Sequence, residues 1–296
     1  MARKHFLTYL ALSAVSVAQP VFDLYGKNLT VFSAAKLSSL EVALFFLLFL
    51  LGPALAAVAI DVSTRRFGPR VNESVRLVLL AVLSATVGLA AARLVDDSSN
   101  VTALVLAVAA GLGVPFAFDR FKVVREWSRW LSVAALVVGA TTFVELRPLI
   151  FPVEGGTGGV TLEHKDLNVL LVVLDELPLY PLLGPDGSIN AERFPGFAEL
   201  AASSTWYRNS IAASNFTHQA VPAILASSEP VRSGGPFLFS YPRNIFTLYA
   251  GATKIAGTEP VTALCPKKVC GGDSGFGTGF SPRRFSRFIR DVSVVY

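Results

Sequence analysis

Four long apolar stretches, about Leu40 to Ile60, Leu77 to Val95, Val101 to Phe118 and Trp130 to Ile150, dominate the first half of the chain. An α-helix rises about 1.5 Å per residue, so roughly twenty apolar residues cross a hydrocarbon core about 30 Å thick. Each stretch therefore predicts a membrane-spanning helix. A fifth, about Phe6 to Phe22, is weaker because it carries Thr8, Ser13, Ser16 and Gln19. The "SVA" ending at Ala18 has the form of a signal-peptidase site, yet Pro20, Val21 and Phe22 prolong the apolar run, and a retained helix is expected. With either outcome, the segment that follows lies on the outer side.

The basic residues of this half cluster between the spans. "STRRFGPRVNESVR" holds Arg65, Arg66, Arg70 and Arg76, and "DRFKVVREWSR" holds Arg120, Lys122, Arg125 and Arg129. Such clusters mark cytoplasmic loops, whereas "DDSSN" at residues 96–100 has no base and fits the outer side. Starting inside with Arg3 and Lys4 and crossing five times, the chain is expected to emerge outside near Phe151. A net charge of +5 would otherwise suggest nucleic acid. No basic stripe with interleaved aromatics accompanies it, so nucleic-acid binding is set aside.

With 52% hydrophobic and only 16% charged residues, the chain as a whole is too apolar for a soluble protein. The expected organisation is a transmembrane domain over 1–151, a linker over 152–166 and an outer domain over 167–296. Glu41, Glu145 and Arg147 fall at the ends of spans and are read as interfacial anchors. Gly52 with Pro53, and Gly113 with Pro115, are read as kinks. Five spans without a charge at mid-depth argue against a transporter.

The linker "PVEGGTGGVTLEHKD" is rich in glycine and polar side chains, and His164 within it carries no assigned role. Beyond it, "NVLLVVLDELP" reads as a strand covered on both faces and stopped by Pro178. "GPDGSIN" then reads as a turn, "AERFPGFAELAASS" as a helix, "TWYRNSIAAS" as a second strand and "VPAILAS" as a helix start. Strand, helix, strand, helix predicts an α/β domain with a parallel sheet. Asp175 and Glu176 would then lie at one strand's carboxyl end and "SNFTH" at the next, where such sheets bind ligands. Two carboxylates form a hard-oxygen pair suited to a divalent cation. Pro222 is expected in the first turn of its helix, which places Thr217 a few residues ahead of the helix N-terminus.

"NVLLVVLDELP" together with "FPGFAELAASSTWYRNSIAASNFTHQAVPAILAS" resembles the opening of the sulfatase and alkaline-phosphatase superfamily. With the polytopic head, the "DELP" form resembles the bacterial membrane-anchored sulfatase-like hydrolases and transferases. The resemblance covers residues 168–296 and the linker, and the head in architecture only. It implies an alkaline-phosphatase-like α/β fold in which Thr217 is the nucleophile, with Asp175, Glu176 and Thr217 around a divalent metal, zinc, manganese or calcium. Gln219 and Val221 stand where formylglycine sulfatases carry Pro and Arg, so that cofactor chemistry is not expected. Phosphoethanolamine and phosphoglycerol transferases place a Thr before a Val-Pro step at the same offset as Thr217 here. The implied substrate is a phosphate or sulfate ester of an envelope lipid or glycan, with the site outside the cytoplasm. His218 is a candidate substrate contact.

Cys265 and Cys270, on the expected outer side, are read as a small disulfide loop. The superfamily closes its metal site with Asp and His from much later in the chain, and beyond His218 the present sequence has no histidine. Its end, "RDVSVVY", reads as another buried strand. A domain incomplete at the C-terminus is the expectation, with a catalytically inactive membrane-anchored relic or binding protein as the alternative.

Overall fold

The computed structural model describes residues 2–92, 100–152, 168–231, 234–270 and 276–295. Five helices are long and apolar enough to span a membrane: His5–Lys27, Ser39–Phe67, Pro69–Ala92, Asn100–Arg120 and Lys122–Ile150. The first comprises α1 (Ala2–Ser13) and α2 (Gln19–Lys27), joined through a π-helical turn at Ala14–Ala18. After the short α3 (Thr30–Ala34) come α4 (Ser39–Thr64), α5 (Pro69–Ala92) and α6 (Asn100–Arg120). The fifth comprises α7 (Lys122–Trp130) and α8 (Ser132–Ile150).

The weak hydropathy of the first span has a packing cause. Half of its apolar window is buried inside the bundle, against 17–28% for the other four. Thr8, Ser13, Ser16 and Ala18 are all buried, and Thr8 hydrogen-bonds Ser128 of α7 at 3.2 Å. A helix surrounded by other helices needs small residues for close approach rather than a lipid-soluble coat. Ala18 is fully buried, so the cleavage-like "SVA" lies within the packed bundle.

Small residues also set the α5–α6 pair. Ser84, Gly88 and Ala92 repeat every fourth residue on the buried face of α5, opposite Ala107, Gly111 and Pro115 of α6. A Cβ on Gly88 would collide with the Leu106 carbonyl, and one on Gly111 would come within 3.1 Å of Ala85. Pro115, read as a kink, thus also lies in the helix–helix contact. The α4–α5 turn is fastened by Asp61, whose carboxylate pairs with Arg65 at 3.0 Å while Asn72 donates to both its side chain and its carbonyl. In α7, Val123, Trp127 and Trp130 are exposed and fall on one face, with Lys122 and Arg125 away from it. Arg125 donates to the carbonyls of Phe118 and Asp119, satisfying the end of α6.

The C-terminal half departs from the expected α/β domain. Among the described residues there is no strand, only isolated bridges pairing Leu183 with Ile189, Phe237 with Ala263 and Ala250 with Thr253. The run Val169–Leu174 forms no ladder with any other segment, and Leu170 is 88% exposed. "TWYRNSIAAS" likewise forms no strand. An apolar run becomes a buried strand only when neighbouring strands take up its backbone groups, and none does so here among the described residues. The linker 153–167, with His164, lies outside the described residues.

What forms instead is a set of short helices: α9 (Pro195–Ser203), α10 (Thr217–Ala226), α11 (Ile245–Tyr249), α12 (Lys267–Cys270) and α13 (Pro282–Val295). "RDVSVVY" therefore belongs to a helix over its described part, not to a strand. Phe285, Phe288, Ile289 and Val292 recur at helical spacing, and Phe288 and Val292 are buried. Phe288 enters an aromatic cluster with Tyr25, Phe32 and Phe45, at ring separations of 5.6–5.8 Å. The main core therefore joins the membrane bundle to Phe237, Ala263, Phe288 and Val292.

Polar contacts reinforce that junction. Ser38 and Glu41 form a capping box at the start of α4, and the fully buried Glu41 carboxylate also accepts from Ser281 N and from both Nε and Nη2 of Arg284. Glu41 thus docks the C-terminal segment, beyond the anchoring expected of it. Gly277 N donates to the Lys36 carbonyl at 2.9 Å, and Ser33 donates to the Val261 carbonyl. Within this region the buried Glu259 carboxylate accepts from Thr262, Leu264 N and Cys265 N. It steadies the loop closed by the Cys265–Cys270 disulfide.

Candidate active site

The segment after the exposed run turns sharply at "DEL". Glu176 adopts φ +54°, a left-handed conformation that side chains with a Cβ seldom take, so the chain reverses there instead of continuing as a strand. That reversal leaves Asp175 facing α10. Helix α10 begins at Thr217 itself, with Pro222 buried in its interior, so the expected start beyond Thr217 is corrected. Pro222 has no N–H to offer the His218 carbonyl four residues back, so one intrahelical hydrogen bond is missing there.

Thr217 occupies the first helical position, and its hydroxyl does not cap the helix. Its Oγ1 donates instead to Asp175 Oδ1 at 2.8 Å, across 42 residues of chain. Both side chains are exposed. The turn ahead of the helix is organised by Ser214, which accepts from Phe216 N and donates to Gln219 Oε1 at 2.8 Å. In the sequence Gln219 stands out only as a departure from the formylglycine pattern and its pairing with Ser214 is missed, although Ser-x-x-x-x-Gln before an apolar helix offers a polar pair that can bridge its first turn.

The fold thus brings two of the sequence-chosen residues into direct contact and places a third beside them. Glu176 follows Asp175 and is exposed, with no hydrogen bond or ion pair among the described residues. His218 turns elsewhere: its ring packs on Phe216 at 5.6 Å. The amides of Thr217 and His218 find no acceptor among the described residues, as first-turn amides cannot within their own helix, and leave donors beside the Thr217 hydroxyl.

Asp175, Glu176 and Thr217 supply oxygen donors only, which suit a hard cation such as manganese or calcium better than zinc. Among the described residues no three His, Cys, Asp or Glu side chains gather closely enough to hold a metal, so these residues offer a partial donor set. Further along the chain, Asp186 accepts from the Ser188 hydroxyl and amide, which holds its carboxyl below the usual aspartate range. It belongs to the "GPDGSIN" turn, closed by a Gly184 amide to Ser188 carbonyl bond of 2.8 Å.

No family model matches the chain, nor does any curated protein or solved structure.

Proposed function

We propose that the protein is a membrane-embedded hydrolase or group transferase acting on phosphate or sulfate esters at the envelope surface, with Thr217 as its nucleophile. The observation that carries this reading is the Thr217 Oγ1 to Asp175 Oδ1 hydrogen bond, made by two exposed side chains 42 residues apart. Phe216 holds the cap position, so the Thr217 hydroxyl, at the first helical position, is engaged by a carboxylate rather than by the helix amides. Asp175 accepts the hydroxyl proton as Oγ1 attacks phosphorus or sulfur, and the ester's alkoxide leaves with a proton from water. The open amides of Thr217 and His218 lie where negative charge on the transferred group builds up. Asp175, Glu176 and Thr217 are the groups that would hold a divalent cation, which would lower the hydroxyl pKa and neutralise ester oxygens.

The similarity of "DELP" and "THQAVPAILAS" to membrane-anchored sulfatase-like enzymes supports the same chemistry. The distribution of arginine supports a site outside the cytoplasm, because Arg65, Arg66 and Arg70 lie at the opposite ends of the spans from the C-terminal half.

The full chain, purified in neutral detergent, is assayed on nitrophenyl phosphate and sulfate esters with manganese, calcium or zinc added. Metal-dependent turnover is expected, with Thr217→Ala and Asp175→Asn each lowering it by roughly a hundredfold or more. Absence of turnover with every ester and metal, or equal turnover in Thr217→Ala, would leave the chain as a membrane-anchored binding or structural protein.

A further inference from the structure

Where the first span ends, a cavity of about 1000 Å³ opens between α3 and α13. Its wall is apolar along Leu24, Val31 and Phe288, and its rim carries Lys36, Arg283 and Arg287. Arg284 also lines it, but its guanidinium is committed to Glu41. Among the described residues Lys36, Arg283 and Arg287 form no ion pair, and Asp291 is the single acid of the lining.

The cavity's height in the membrane follows from the helices around it. The first span stops at Lys27 and the second starts at Ser39, so α3 and the cavity mouth sit at headgroup level. Leu24 and Val31 are 39% and 36% exposed and continue the lipid-facing surface of the bundle into the cavity. Three cations above an apolar wall match a molecule with an anionic head and a hydrocarbon tail. A free anion gains nothing from the wall, and a zwitterionic lipid brings its own cation against the arginines.

We infer that this cavity binds an anionic phospholipid of the adjoining leaflet, its phosphate on Arg283 and Arg287 and its acyl chain along Leu24 and Val31. The inference stands apart from the Thr217 reading, since none of these residues belongs to that site.

Native mass spectrometry of the full chain in neutral detergent, titrated with phosphatidylglycerol or phosphatidylcholine, tests it. Phosphatidylglycerol should bind and phosphatidylcholine should not compete. The double variant Arg283→Gln/Arg287→Gln should weaken binding roughly 25-fold, about fivefold per cation lost. Arg283→Lys/Arg287→Lys should restore most of it, and Arg290→Gln, outside the cavity, should leave it unchanged. Equal binding of the two lipids, an unaffected Gln pair, or displacement of the lipid by inorganic phosphate at matched concentration would each overturn the assignment.

Discussion

Glu41 shows how much one buried carboxylate can organise. It receives Ser38 from its own helix and Ser281 and Arg284 from the far end of the chain, and no part of it reaches solvent. Removing the arginine leaves an unpaired charge in the core, whereas neutralising the acid leaves a partly exposed arginine with other options. Arg284→Leu should therefore cost about 3–5 kcal/mol, and Glu41→Gln clearly less, read as loss of protease protection over α13. Protection unchanged in Arg284→Leu would refute this role. The Ser38-x-x-Glu41 spacing is a legible capping box, but reading Glu41 as an interfacial anchor hides it. Its partner Arg284, 243 residues away, carries no local signal at all. The Thr217–Asp175 contact is different again, because family resemblance selects both residues and their 2.8 Å bond is a matter of tertiary geometry.

At the scale of elements, length and hydropathy specify the four strong spans, since a helix is the only single segment that satisfies its own backbone in lipid. Sequence patterns fail where elements depend on partners. Val169–Leu174 has the composition of a strand and joins no ladder; by contrast, Phe285, Phe288 and Val292 show a helical period that the apolar ending "VSVVY" obscures. The α5–α6 pair is also hidden, because small residues every fourth position stand out only when two helices are seen face to face. Gly88→Leu should separate them at a cost of about 2 kcal/mol or more, since the added side chain meets backbone rather than a movable side chain. Thermal unfolding in detergent measures this, with Gly113→Leu as the control, whose Cβ meets nothing within 4 Å. Equal melting of the two variants would contradict the packing.

For the whole molecule, Phe237, Ala263, Phe288 and Val292 share one core with the membrane bundle, while Ala223 of α10 packs in a separate cluster with Tyr241 and Leu264. The basic turn at Arg65–Arg70 should then face the opposite side from α9 and α10. Because the described cysteines are disulfide-bonded, single introduced thiols report topology cleanly. A membrane-impermeant maleimide on intact cells should label Ala198→Cys and spare Arg66→Cys, and the reverse pattern would invert the orientation. The most direct test of the central claim is chemical. After brief reaction of the full chain with a phosphate or sulfate ester and rapid acid quench, peptide mass spectrometry should find the phosphoryl or sulfuryl group on Thr217. The adduct should be absent from Thr217→Ala and depleted in Asp175→Asn; turnover with no adduct on Thr217, or with the group on another residue, would contradict the account.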